Sequence, residues 1–309
     1  MTLLTITGPT ACGKTALAVE VAYRLGGEII SADSRHVFRG MDIGTGKYLK
    51  EYTVHGTEIP HHLIDIHDAG YEYNVYQFQN DFIRAYNNIV SRGHRPILCG
   101  GTGLYVESVV KGYELPDAPI DEAYRKTLAA FSDEELTARL AGYIKLHNHT
   151  DTETRERLLR ALEIQEYALQ HPEEHVRMPK MRHLVVGVRY PREVVVERIG
   201  IRLRQRLEEG MVEEVRLLLD QGVPAERLLK YGLEYKHLTR YLLGQCTYEE
   251  MFTNLYTDIR RFSKRQMTWF RRMERNGIEI QWIEGQKSLD EKAAQVISLL
   301  NDAETEQKC

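Results

Sequence analysis

The segment from Gly8 to Thr15 has the spacing of a phosphate-binding loop. Two glycines lie five residues apart, and Lys14 and Thr15 follow the second one directly. Backbone N–H groups of such a loop bind an anion, the lysine adds a full positive charge, and the threonine hydroxyl can bind Mg²⁺. The candidate phosphate-binding residues are therefore Gly8, Pro9, Thr10, Ala11, Cys12, Gly13, Lys14 and Thr15.

The acidic residue with which a P-loop NTPase holds Mg²⁺ is missing from its expected position. Such an acid ends a buried apolar strand, but the strand predicted at Pro96–Cys99 runs into Gly100, Gly101 and Thr102. Asp33, at the end of another predicted strand, is the well-placed carboxylate and is a candidate general base. On the residues alone, a turn or N-cap aspartate remains an open alternative.

A strongly basic segment lies near the carboxyl end of the chain. Seven cations and one acid, Glu274, fall within sixteen residues, a local charge of +6. Their spacing places the cations on two adjacent stripes of a helix, and such a face predicts contact with RNA phosphates. A merely solvated charged face is the alternative. The seven are Arg260, Arg261, Lys264, Arg265, Arg271, Arg272 and Arg275.

Alternating strand and helix patterns predict the elements that position these residues. This alternation is typical of an α/β fold with a P-loop NTPase-like parallel sheet flanked by helices, and ligands of such sheets bind beyond the carboxyl ends of the strands. Predicted strands are Leu3–Thr7, Glu28–Ser31, Pro96–Cys99 and Leu184–Tyr190. Predicted helices are Thr15–Leu25, Tyr76–Arg92, Arg155–Leu169, Val194–Asp220, Thr247–Asn276 and Ser288–Leu300.

The same patterns predict three consecutive regions. Residues 1–115 form the first part of the P-loop catalytic core, and residues 116–180 form an all-helical insertion domain, because strand patterns stop there and charged helical patterns dominate. Residues 181–309 continue the core and add the carboxyl-terminal helices, which include the basic one.

Composition fits an ordinary globular protein of 309 residues, with 42% hydrophobic and 28% charged residues. The net charge of −4 means that any polyanion must meet a local basic surface. The sequence shows no long apolar run and no signal-peptide pattern, so we expect a cytoplasmic protein without a membrane span. Zinc sites and a disulfide framework are not expected, because no paired cysteine motif joins Cys12, Cys99, Cys246 and Cys309.

Four blocks of sequence together resemble the bacterial tRNA dimethylallyltransferase family. They are GPTACGKT, SADSRHVFRGMDIGTGK at 31–47, GGTGLY at 100–105 and KRQMTWFRR at 264–272. They occur in the order of the family, and the resemblance runs from about residue 3 to residue 283. It implies transfer of a dimethylallyl group from dimethylallyl diphosphate to N6 of adenine 37, 3′ of the anticodon, in tRNAs that read codons beginning with uridine. It also implies Mg²⁺ as cofactor, and we expect a monomer.

The resemblance also implies individual roles. Thr10 would donate a hydrogen bond to the bridging oxygen of the diphosphate, and Lys14 and Thr15 would contact the diphosphate and Mg²⁺. Asp33 would accept the N6 proton, Thr102 would orient the reacting centre, and Arg202 would neutralise the leaving group. The implied contacts with the tRNA anticodon stem-loop are Asp33, Ser34, Arg35, His36, Arg125, Glu156, Arg157, Leu158, Leu159, Arg160, Lys264, Arg265, Gln266, Thr268 and Arg271.

The chain departs from the family pattern at three positions. His36 stands where an uncharged residue such as glutamine is common, Phe38 where tyrosine is common, and Glu234 where glycine is usual. Other functions that the phosphate loop allows are an isopentenyltransferase acting on free adenine nucleotides, a small-molecule P-loop kinase, and a non-catalytic RNA-binding protein. The basic helix disfavours the first two, and intact Lys14, Thr15 and Asp33 disfavour the last.

Overall fold

The computed structural model describes residues 1–143, 152, 154–171 and 177–305. The chain divides into two compact units. The larger combines Met1–Lys111 with Pro179–Cys309, and the smaller is Gly112–Met178.

The larger unit is built on a parallel sheet. In chain order the strands are β1 (Thr2–Thr7), β2 (Gly27–Ser31), β3 (Phe38–Arg39), β4 (Thr53–Val54), β5 (Thr57–Glu58), β6 (His61–His62), β7 (His67–Asp68), β8 (Arg95–Gly100), β9 (Arg182–Arg189) and β10 (Ile280–Glu284). Within the described residues, six of them form one sheet in the order β10-β9-β1-β8-β2-β6, with every neighbouring pair parallel. Short pairs join β3 to β7 and β4 to β5.

Helices follow or separate most of these strands. They are α1 (Lys14–Leu25), α2 (Val75–Ser91), α3 (Gly103–Val110), α4 (Glu122–Leu128), α5 (Asp133–Tyr143), α6 (Arg155–Gln170), α7 (Arg192–Glu208), α8 (Met211–Asp220), α9 (Ala225–Leu228), α10 (Leu233–Leu242), α11 (Tyr248–Arg275) and α12 (Leu289–Thr305), with a 3₁₀ turn at Leu49–Tyr52. The predicted parallel sheet flanked by helices is confirmed.

Strand register brings the candidate site residues to one edge of the sheet. Thr7 at the end of β1 lies opposite Gly100 at the end of β8, and Ser31 at the end of β2 lies opposite Cys99. The three strands therefore finish at nearly the same level. The turns that follow them, which begin at Gly8, Ala32 and Gly101, lie side by side at the carboxyl edge, as a parallel sheet requires.

One predicted element is wrong, and one observed strand was not predicted. The expected helix Val194–Asp220 is interrupted, because Gly210 adopts φ +99° and separates α7 from α8. The segment Ile280–Glu284, which lies between two predicted helices, is strand β10, and it pairs with β9. Its β-branched and aromatic side chains suit an edge strand.

The smaller unit, Gly112–Met178, contains α4, α5 and α6. Leucines from all three helices form its core: Leu128, Leu136, Leu140, Leu158 and Leu162. In neither unit does a described helix combine the length and the apolar character needed to cross a bilayer.

Candidate active site

The phosphate loop has the backbone of an anion-binding nest. Ala11 and Gly13 adopt left-handed conformations, with φ of +63° and +76°, and α1 begins at the next residue, Lys14. A Cβ atom at Gly8 would lie 2.7 Å from the carbonyl oxygen of Val188 on β9, so only glycine fits there. The turn and the amino end of α1 together can bind phosphate oxygens.

Thr10 is held from two sides. Its N–H donates to Oε1 of Gln266 at 2.8 Å, and its Oγ1 accepts from Nη2 of Arg202 at 2.7 Å. The arginine occupies one lone pair of the hydroxyl, so the hydroxyl proton is available to an acceptor on a bound ligand. This geometry suits the predicted hydrogen bond from Thr10 to a bridging phosphate oxygen.

Helix α7 directs a second guanidinium at the loop. Arg198 Nε donates to the carbonyl oxygen of Ala11 at 2.8 Å, a contact that the sequence did not indicate. Burial and, to a smaller extent, the neighbouring positive charge of Arg206 together lower the pKa of Arg202 to about 10. Arg202 still carries its charge at neutral pH. Arg198 and Arg202 therefore place two guanidinium groups against the loop, which suits a diphosphate.

Asp33 lies on the turn after β2. That turn is linked to the turn after β8, because Ser34 N–H donates to Thr102 Oγ1 at 3.1 Å and Thr102 N–H donates to the carbonyl oxygen of Ala32 at 3.2 Å. Thr102 therefore orients the Asp33 turn through the backbone. The Lys14 side chain reaches the same turns, since its Cε lies 3.3 Å from the position of a Cβ at Gly101.

The carboxylate of Asp33 is ionised at neutral pH. Burial alone would raise the pKa of Asp33, but the charges of His36 and Lys14 and a 3.1 Å hydrogen bond from the Arg35 N–H outweigh it, so the pKa is lowered. An ionised carboxylate beside a phosphate site can accept a proton from a nucleophile.

His36 stands 4.0 Å from Asp33, measured from Nε2 to Oδ2, and its Nδ1 lies 3.3 Å from Ser31 Oγ. Burial lowers the pKa of His36. The negative charge of Asp33 opposes this shift, and the positive charges of Lys14, Lys47 and Arg206 add to it. His36 is therefore neutral at neutral pH and can donate one hydrogen bond and accept another.

Helix α11 presents a basic outer face, defined here by the exposed cations Arg260, Arg261, Lys264, Arg265, Arg271 and Arg275. Thr268 is exposed among them. Arg272, predicted as part of the stripe, instead forms an ion pair with buried Glu107, and its guanidinium lies 3.9 Å above the Trp269 ring. Phe262, on the same helix, is 40% exposed.

Two of the predicted tRNA contacts do not fit the structure. Gln266 is 8% exposed, and both polar atoms of its amide are bonded to the protein, to Thr10 N–H and to the Gly101 carbonyl. Leu158 is 1% exposed and packs in the leucine core of the smaller unit. Neither side chain offers a surface to RNA.

In the smaller unit, Arg125 and Arg160 both bind one buried carboxylate. Nε of Arg125 lies 2.6 Å from Oε1 of Glu163, and Nη1 of Arg160 lies 3.2 Å from Oε2. Burial would raise the pKa of Glu163, but these hydrogen bonds outweigh it and the pKa is lowered. Both arginines thus have structural partners. Glu156 and Arg157 are exposed on α6, and Leu159 is partly exposed.

These features define a class of protein: an α/β protein with a P-loop, a carboxylate beside the phosphate-binding loop and a basic helix next to it. The family model described as IPP transferase matches residues 36–273, more than three quarters of the chain. The chain belongs to this family.

Two curated relatives are similar over nearly the whole chain. The tRNA dimethylallyltransferase 1 of Porphyromonas gingivalis is 54% identical over 297 residues, which are 96% of this chain and 98% of that protein. The tRNA dimethylallyltransferase 2 of Bacteroides fragilis is 53% identical over 94% of this chain and 95% of that protein.

Solved structures agree. The tRNA isopentenylpyrophosphate transferase of Bacillus halodurans superposes with a TM-score of 0.71 at 34% identity, covering 99% of both chains. A eukaryotic dimethylallyltransferase solved acting on tRNA superposes with a TM-score of 0.76 over 98% of this chain and 79% of its own. At 21% identity, the second comparison supports the fold alone.

Proposed function

We propose that this protein transfers the dimethylallyl group of dimethylallyl diphosphate to N6 of adenine 37, 3′ of the anticodon, in tRNAs that read codons beginning with uridine. The observation that carries the proposal is the Asp33 carboxylate, ionised and linked through Thr102 to the turn beside a phosphate loop whose Thr10 is bonded to Arg202. Such a site has a base for an amine and an anion hole for a leaving diphosphate.

The chemistry follows from these groups. The lone pair of an exocyclic adenine amine is delocalised into the ring, so the amine becomes a better nucleophile when a base removes its proton as the bond forms. N6 forms a bond to the allylic carbon, the bond from that carbon to the diphosphate oxygen breaks, and the electron pair leaves with the diphosphate. Asp33 accepts the N6 proton.

Positively charged and N–H groups around the loop stabilise the negative charge that develops on the leaving diphosphate. Lys14, Arg202 and the loop N–H groups face the growing negative charge, and the Thr10 hydroxyl donates to the bridging oxygen. Because the target adenine is stacked in the anticodon loop, it must be extruded to reach this edge of the sheet.

Mg²⁺ fits the site as a partner of the substrate. Among the described residues no group of three or more His, Cys, Asp or Glu side chains is arranged to hold a metal. Thr15, at the second position of α1, offers a hydroxyl. Mg²⁺ keeps several waters and accepts phosphate oxygens readily, so Thr15 and the diphosphate would hold it, and it would neutralise phosphate charge.

The basic outer face of α11 would bind the backbone of the tRNA anticodon stem-loop. Ser34, Arg35 and His36 adjoin the catalytic carboxylate. On α6, the exposed Glu156 and Arg157 and the partly exposed Leu159 would contact the tRNA. We place the enzyme in the cytoplasm, as a monomer, where tRNA and the isoprenoid diphosphate meet.

A transfer assay tests the proposal. The protein is incubated with labelled dimethylallyl diphosphate and Mg²⁺, and with either unmodified tRNA or AMP as acceptor. Label in tRNA alone is the expected result. Label in AMP, or phosphate transfer from ATP without prenylation, would establish one of the competing activities instead.

The pH dependence of the reaction should reflect both shifted groups. The pKa of Asp33 lies below its ordinary value and that of His36 below 6.5, so kcat/KM should stay level from about pH 8 down to about pH 6.5. At lower pH, His36 gains a proton and its charge pairs with Asp33, which weakens the base. In a His36→Gln variant, this fall in kcat/KM caused by His36 protonation should disappear. A limb with an apparent pKa above 6.5 in the wild type would contradict the assignment.

Removing two cations from the basic outer face should weaken tRNA binding. In a Lys264→Ala/Arg271→Ala variant, we expect the tRNA Kd to rise about tenfold or more, and the slope of log K against log salt to fall by about 1.5–2. An Arg216→Ala/Lys287→Ala variant, which removes two exposed cations outside α11, is the matched control. An unchanged slope in the first variant would show that the tRNA binds to a surface other than the basic outer face.

A further inference from the structure

Gln266 connects two loops of the site from the buried side of α11. Its Oε1 accepts from the Thr10 N–H at 2.8 Å, and its Nε2 donates to the Gly101 carbonyl at 2.9 Å. One primary amide thereby bonds both the phosphate loop and the turn after β8. Glutamine supplies the acceptor and the donor that these two contacts require.

The contact fixes the residue that would meet the diphosphate. The N–H of Thr10 points to Gln266 and its hydroxyl oxygen accepts from Arg202, so the orientation of Thr10 is set from both sides. The neighbouring Ala11 has φ +63°, a conformation that a non-glycine residue keeps only when its surroundings hold it. Loss of Gln266 would therefore release a loop that is under local strain.

The buried side of α11, which carries Gln266, packs closely against α3. A Cβ atom at Gly101 would lie 2.9 Å from Gln266 Nε2, and one at Gly103 would lie 2.4 Å from Trp269. One turn further along, Arg272 pairs with Glu107. Residues spaced by three thus attach the helix along its buried side, while the basic outer face points away.

We infer that Gln266 is a positioning residue that holds Thr10 of the phosphate loop in place for the diphosphate and makes no contact with tRNA. The inference deepens the proposed function, because it assigns to the loop-binding side of α11 a role in the diphosphate site. Helix α11 would then have two separable functions on opposite sides: one side holds the phosphate loop in position, and the other binds RNA.

The test compares two affinities in Gln266→Ala. Both hydrogen bonds are lost, so the Kd for inorganic diphosphate with Mg²⁺ should rise about tenfold, and kcat/KM for dimethylallyl diphosphate should fall by a similar factor. The tRNA Kd should stay within about twofold. Gln245→Ala, an exposed glutamine outside the site, is the control for a glutamine-to-alanine change.

Two further variants sharpen the result. Gln266→Glu keeps the acceptor for Thr10 but loses the donor for Gly101 and brings a carboxylate towards the diphosphate, so its loss of diphosphate affinity should be at least as large. Gln266→Asn retains the amide on a shorter side chain and replaces the alanine variant if circular dichroism shows that the latter is unfolded.

Two outcomes would overturn the inference. One is a raised tRNA Kd with a flatter salt slope and unchanged diphosphate binding, which would make Gln266 an RNA contact. The other is no change in either affinity. Inorganic diphosphate binding is measured without tRNA, so this test is distinct from failure of the proposed function, which would appear as wild-type protein that transfers no label to tRNA.

Discussion

Replacing Asp33 with asparagine will slow prenyl transfer by about 10²–10⁴-fold. The side-chain oxygen of asparagine can still accept from the Arg35 N–H, so the turn keeps its shape, but the amide cannot take the N6 proton. The single-turnover rate at saturating tRNA measures the effect. The tRNA Kd, measured by filter binding, should change by less than about twofold because the turn is intact.

The matched control for this change is Asp68→Asn, which removes the same charge from an exposed aspartate on β7. It should leave the single-turnover rate unchanged. If Asp33→Asn weakened tRNA binding as much as it slowed transfer, Asp33 would be an RNA-recognition residue and the base would have to be sought elsewhere.

Removing Arg202 will have the second largest effect. Arg202→Ala takes away a charge beside the leaving group and the hydrogen bond that orients the Thr10 hydroxyl, so kcat should fall by about 10²–10³-fold. Arg202→Lys should recover only part of this loss, because a lysine is a point charge and cannot reproduce the planar geometry of the guanidinium.

The measurements are kcat, kcat/KM for dimethylallyl diphosphate and the inhibition constant of inorganic diphosphate. Arg204→Ala, an exposed arginine two residues further along α7, is the control and should leave all three near wild type. A normal kcat in Arg202→Ala, with a raised tRNA Kd, would assign Arg202 to the RNA and not to the leaving group.

The sequence predicts the catalytic edge of the sheet well because its signals are local. A phosphate loop is recognised by spacing, and apolar β-branched runs mark the strands that precede Gly8 and Asp33. Once the strands are known to be parallel, their ends must meet at one edge. The register that pairs Thr7 with Gly100 and Ser31 with Cys99 expresses that rule.

Other features depend on tertiary contacts that no local pattern contains. β10 is short, and pairing with β9 creates it. The hydrogen bond from Arg198 to the carbonyl of Ala11 joins residues 187 positions apart.

The family resemblance does not separate the two sides of a helix. It marked Lys264–Arg271 as RNA-binding, although the side chain of Gln266 faces the phosphate loop. The helical period contained a usable signal, since Ile259, Ser263, Gln266, Phe270 and Met273 recur at spacings of three and four along the buried side of α11. In α6, Leu158 belongs to the core for the same periodic reason.

The most direct test of the central claim is the stoichiometry of diphosphate release. Wild-type protein is supplied with unmodified tRNA, Mg²⁺ and dimethylallyl diphosphate, without ATP, and nucleosides from digested tRNA are analysed together with the released phosphate species. We predict one diphosphate for each N6-dimethylallyladenosine formed next to the anticodon. Orthophosphate release that requires ATP, or prenyl groups found on free nucleotide while the tRNA stays unmodified, would contradict the account.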